Sequence, residues 1–160
     1  MTATAAERRR AGEPIVVAVS TEGVRLPVAT SRVAAVARQV LRAEKEPQAL
    51  LSITFVTDAA IARLNQRHLR HRGATDVISF GFRRERGSAL IGDIYIAPGV
   101  ARANAQAAGV GVREELVRLV VHGVLHVLGH DHPEGDERTA SPMWRRQEAH
   151  VRRAMRAGRA

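Results

Sequence analysis

Cysteine is absent from all 160 residues, which excludes both a disulfide framework and a thiolate metal site. Any transition-metal centre in this chain must therefore be built from histidines and carboxylates. Aromatic side chains are nearly as scarce, with Phe55, Phe80, Phe82, Tyr95 and Trp144 making up the whole set. So few rings cannot furnish a base-stacking platform, and contact with nucleic acid would run mainly through phosphates. No uninterrupted apolar run is long enough for a membrane span, so no membrane partner is expected. Lysine occurs once, at Lys45, leaving arginine to carry the positive charge. Residues 1–14 hold Arg8, Arg9 and Arg10 but lack the apolar core of a secretory signal. They are expected to be a disordered lead into a cytoplasmic protein.

What is present is an apolar share of 45%, ordinary for a globular protein and enough for one domain, expected over residues 15–157. The net charge of +9 favours a polyanionic partner, because cations gain affinity by releasing counterions from a phosphate backbone. A coding preference for arginine and alanine would produce the same excess, so charge alone does not decide.

Hydrophobic spacing divides the chain into alternating elements. Val16 to Val19 fits a first strand. Val33, Val36, Ala37, Val40 and Leu41 form one helical face behind Ser31 as the expected cap, and the helix ends before Pro47. Leu50 to Val56 reads as a strand, and Thr57-Asp58 can cap a helix from Ala59 to about Arg67. Thr75 to Phe82 and Ala89 to Ile96 read as neighbouring strands across a charged connection. Pro98 opens a helix that Gly109 closes. Glu114-Glu115 begin a helix reaching Leu128 that is apolar almost all round, which places it at the centre of the fold. A last helix runs from about Ser141 to Met155. The pattern implies an α+β single domain with a mixed four-stranded sheet packed with helices around a central metal-binding helix.

That central helix carries the chemistry. In the run His122-Gly-Val-Leu-His126-Val-Leu-Gly129-His-Asp-His132, residues four apart share a helical face, so His122 and His126 can serve one ion. Gly129 can adopt a left-handed conformation and swing His132 back over that face. Isolated histidines on an apolar helix are ordinarily hydrogen-bonded core residues. Two on a helix that otherwise buries hydrocarbon, with a third at the turn, fit a zinc site of one ion per chain with its fourth position open. Asp131 can orient a ligand or bind backbone amides of the turn, and His130 points elsewhere. His68, His71 and His150 have no ligand spacing.

The spacing His-x3-His-x5-His is shared with metzincin peptidases, in which a glutamate after the first histidine acts as general base. Here that residue is Gly123, which cannot accept a proton. Phosphodiester hydrolysis tolerates the loss better. The run HGVLHVLGHDH resembles the H-G-x-L-H-L-x-G-x-D-H signature of the YbeY family, departing at Val127. Leu64-Asn65 with Thr75-Asp76-Val77-Ile78-Ser79-Phe80 is similar to a second block of that family, and Gly92-Asp93-Ile94 to a third. The blocks occur in the family's order across roughly Ile15 to Met155.

The resemblance implies a zinc-dependent, single-strand-specific endoribonuclease. Its expected roles are rRNA processing, including the small-subunit rRNA 3′ end, and ribosome quality control. Its expected partners are single-stranded RNA, rRNA and the ribosome or ribosomal proteins, and DNA is not among them. Many members carry Tyr-Arg-Gly after the Leu-Asn pair, with an arginine that helps bind or cleave RNA. This chain has His68-Leu69-Arg70, so Leu69 stands at the matching position. Arg70, one residue on, is the expected catalytic replacement, with Arg67 and Arg72 as alternatives. No general base is identifiable. Two rival functions remain at this stage: a metal-dependent peptidase-like hydrolase, and a non-catalytic ribosome assembly factor in which zinc only orders the turn.

Overall fold

The computed structural model describes residues 14–69, 73, 75–82 and 85–158. Alternating burial along β1 (Ile15–Thr21), β2 (Ala49–Phe55) and β4 (Leu90–Ile96) gives each strand one face for the core. With β3 (Val77–Gly81) they form a four-stranded mixed sheet in the order β1-β2-β4-β3. The first three are mutually parallel, and β3 closes the edge antiparallel to β4, with Ser79 opposite Ile94 and Gly81 opposite Gly92.

Helix α1 (Thr30–Ala43) buries the expected stripe of Val33, Val36, Ala37, Val40 and Leu41. Its start differs from expectation. Ala29 is the N-cap, with its carbonyl accepting from Arg32 and Val33, while Ser31 lies inside the first turn and caps nothing. Residues 29–31 are exposed, so water can satisfy the free N–H groups and no side-chain cap is required. Helix α2 (Asp58–Leu69) begins as expected, the Thr57 hydroxyl accepting from the Ala60 N–H at 3.1 Å. It covers one end of the sheet's second face through Ile61, Ile78 and Ala97. Helix α3 (Pro98–Ala108) opens on its proline and stops at Gly109, whose φ is 70°.

Helix α4 (Val112–Val127) is central, packing on β3, β4, α1, α3 and the last helix, α5 (Pro142–Ala157). Arg118 clamps α4 to α5. Its guanidinium donates to Glu148 at 3.0–3.1 Å and to Glu115 at 3.0 Å. Between α4 and α5, Gly135–Ala140 winds as a 3-10 helix. The Ser141 hydroxyl then caps α5, accepting from the Trp144 N–H. No helix among the described residues is long and apolar enough to cross a membrane.

Candidate metal centre

The three sequence blocks meet where α4 presses on the sheet. A side chain begun at Gly123 would place Cβ 2.8 Å from Ile94 Cγ2 and 3.2 Å from the Ser79 hydroxyl. One begun at Gly92 would stand 2.5 Å from Val127 Cγ1. Both glycines thus let helix and sheet approach closely, and this contact sets how far α4 carries its histidines along the β3–β4 edge. The Ser79 hydroxyl is buried there without a hydrogen-bond partner among the described residues.

Beyond Val127 the helix ends in a Schellman turn. The Gly129 N–H donates to the His126 carbonyl and the His130 N–H to the Leu125 carbonyl, with Gly129 at φ 99°. This is the left-handed glycine expected from the sequence, and it returns the chain so that His132 faces His122 and His126. Ring centroids lie 4.5 Å apart for His122 and His126, and 5.1 Å apart for each of them with His132. One ring nitrogen from each histidine lies within 4.8 Å of the others, so the group could hold a metal ion. A tetrahedral ion with bonds of the usual imidazole length needs nitrogens about 3.4 Å apart, a small closure from this arrangement.

Hydrogen bonding prepares the rings for that task. His122 Nδ1 lies 2.6 Å from Gln147 Oε1 and His132 Nδ1 lies 2.9 Å from the Pro133 carbonyl. Each Nδ1–H donates to an oxygen acceptor, which leaves Nε2 with its lone pair. Burial pushes His122 down to about 4 and also lowers His126, so both are neutral near pH 7, as metal ligands must be.

A pH dependence follows. With His122 at 6.5 unfolded and about 4 folded, stability is fully present above pH 6.5 and is lost as pH falls toward 4, because only the unfolded chain then takes up the proton. At 1.36 kcal/mol per unit the loss is roughly 3 kcal/mol. Urea midpoints of the metal-free protein should fall across that interval; a flat profile would contradict the burial argument.

The other histidines are placed elsewhere. His150 and Arg146 each bind Glu44 at 2.7 Å, and His130 faces the same carboxylate at 3.9 Å. His68 packs edge-on against Phe80. Asp131 accepts from the His132 backbone N–H at 2.8 Å, the turn role. Asn65, from the second sequence block, is buried and donates to the Gly73 carbonyl at 3.1 Å, tying α2 to the connection ahead of β3. Arg70, Arg72 and His71 lie outside the described residues.

Two residues beside the centre were missed in the sequence. Gln147 is one; its signal was its place in the buried stripe Met143, Gln147, Val151 and Ala154 of α5, the only polar member. Arg138 is the other. Its charge opposes protonation of both His122 and His126, and its guanidinium stands 5.6 Å over the Trp144 ring. Nothing in its spacing marked it.

Comparison with known proteins agrees with this geometry. A family model described as endoribonuclease YbeY matches residues 18–155. The chain is 42% identical to a protein of that name from Beutenbergia cavernae, over 65% of this chain and 75% of that one. For one from Frankia alni the figures are 39% identity, 72% and 70%. For one from Thermobifida fusca they are 37%, 70% and 78%. A Thermotoga maritima protein solved in solution has a similar fold, with TM-score 0.60 and 26% identity over 90% of this chain and 92% of that one.

Proposed function

Because the chain belongs to the YbeY family of endoribonucleases and so is an RNA-cleaving hydrolase, we propose that it cuts single-stranded rRNA at a zinc ion held by His122, His126 and His132. The observation that carries this reading is the convergence of three imidazoles, two of them oriented by hydrogen bonds at Nδ1, on one point at the end of a buried helix. Zinc bound there supplies Lewis acidity, lowering the pKa of bound water and offsetting charge on a nonbridging phosphate oxygen. The chain's own task is to hold the diester beside that point, and cations do this. A guanidinium at Arg70 would bind two phosphate oxygens in a fork. Arg138, backed by Trp144, is a second cation near the histidines. The catalytic unit spans residues 15–157, and the small-subunit rRNA 3′ end is the substrate that the family resemblance favours.

The peptidase alternative fares poorly at Gly123. Ile94 fills the space into which a glutamate base would have to project. Incubating zinc-loaded protein with single-stranded RNA and with casein, each with and without chelator, tests the reading. RNA should be cut only without chelator and casein not at all. Chelator-sensitive cleavage of casein instead of RNA would reverse the conclusion.

Arg70→Ala should slow RNA cleavage at least tenfold, or about 1.4 kcal/mol of transition-state stabilisation, with zinc content unchanged. Arg72→Ala is the control for a merely solvated cation and should leave turnover nearly intact. Equal effects in the two variants would make Arg70 part of a diffuse basic surface, with Arg138 and Arg67 the next to replace.

A further inference from the structure

Gln147 sits on α5, 25 residues beyond His122 in sequence, yet its amide oxygen is 2.6 Å from His122 Nδ1. It is only 2% exposed. Nearly full burial of an amide is costly unless its polar atoms find partners, and here both do. Oε1 faces the imidazole, while Nε2 donates to Glu148 Oε2 at 3.5 Å. That second contact orients the amide with its oxygen toward the ring. The helix beneath is pinned independently, by the Arg118–Glu148 pair and by Met143 and Val151 in the core. The acceptor is thus presented to His122 from a fixed backbone.

The kind of acceptor matters as much as its position. Metal-bound histidines are commonly oriented by carboxylates, whose charge raises ligand basicity and offsets part of the metal's own charge. Among the described residues, none of the three rings here donates to a carboxylate. His122 uses an amide and His132 the Pro133 carbonyl. Asp131, the nearest acid in the turn, is committed to the His132 backbone N–H.

We propose that Gln147 is a positioning residue for the metal centre: its amide oxygen fixes the His122 tautomer that presents Nε2 to the ion, and its neutrality leaves the site's positive charge undiluted for an anionic phosphodiester. This inference rests on the metal reading given above and assigns within it a reason for an amide at this position. Removing the acceptor frees the His122 ring to place its proton on either nitrogen, and the ligand form becomes only one of several states. Supplying a carboxylate instead restores orientation but lowers the net charge that the phosphate meets.

The test compares wild type with Gln147→Met, which keeps volume without an acceptor, and with Gln147→Glu, which keeps an acceptor and adds charge. Zinc affinity is read by competition with a chromogenic chelator, and folding by thermal melts of the metal-free proteins. Gln147→Met should bind zinc roughly 10–100-fold more weakly. Gln147→Glu should bind it at least as tightly as wild type, yet show a KM for single-stranded RNA raised several-fold at low salt. The rescue of affinity by Glu is a result that a purely structural role for Gln147 would not produce. Wild-type zinc affinity in a folded Gln147→Met protein overturns the positioning role, and an unchanged KM in Gln147→Glu overturns the electrostatic one. If Gln147→Met does not fold, weaker zinc binding by Gln147→Glu than by wild type overturns the positioning role instead. Wild-type protein that binds no zinc overturns the metal reading itself and the inference with it.

Discussion

Replacing His126 by alanine is expected to remove stoichiometric zinc and to lower RNA cleavage by on the order of 10³-fold, about 4 kcal/mol of lost transition-state stabilisation. Of the three candidate ligands, His126 is the one whose loss is simplest to interpret. His122 is buried and bound to Gln147, so its truncation would also open a cavity and orphan an amide. His132 holds the turn through the Pro133 carbonyl. His126 is half-buried at the last turn of α4, where alanine is a good helix former and the Schellman bonds use only backbone atoms. The fold should therefore survive, with a melting temperature close to that of metal-free wild type. Two imidazoles and water make a weak site, so elemental analysis should find far less than one zinc per chain. Full zinc occupancy in folded His126→Ala protein would remove His126 from the ligand set and leave the proposed centre without support.

How much of this centre was legible in the sequence depends on whether the relevant contact is local. The His122–His126 pair, the left-handed Gly129 and the returning His132 all lie within eleven residues, and helical periodicity with one glycine turn suffices to bring them together. The four strands and the apolar central helix were equally plain, because their burial patterns have periods of two and 3.6. Ser31 was misplaced because Ser at a helix start is only a preference, and an exposed first turn can do without it. Gln147 and Arg138 were invisible for a different reason. Their positions beside the histidines depend on how α5 and the 3-10 turn pack back onto α4, and nothing within α4 encodes that. The strand pairing that brings β4 between β2 and β3 is likewise a long-range outcome, and it is what puts Ile94 against Gly123.

That last contact changes the meaning of Gly123 and carries the second large prediction. Seen in sequence, Gly123 is the place where a metzincin's glutamate is missing, and Gly123→Glu is expected to leave zinc bound without creating strong peptidase activity. In the folded protein it is a point of close approach between α4 and β4, and the contact there leads to the opposite expectation for zinc. An exposed helical glycine replaced by alanine ordinarily gains about 1 kcal/mol from helix propensity. At this site the new Cβ would lie 2.8 Å from Ile94 Cγ2 and 3.2 Å from Ile94 Cδ1, beneath a fully buried side chain with little room to yield. Overpacking of that kind costs about 1–3 kcal/mol, so Gly123→Ala should be destabilising overall, against its propensity. Gly123→Glu adds to the clash a carboxylate beside the fully buried Ile94, a further cost of several kcal/mol. Together these approach the whole stability of a domain this size, roughly 5–15 kcal/mol. The expected outcome is protein that is insoluble or melts far below wild type, with zinc lost because α4 no longer seats its histidines. A folded Gly123→Glu protein with wild-type melting and full zinc would mean that Ile94 can move aside, and the lack of a base at this position would then be a matter of chemistry alone, as the sequence by itself had implied.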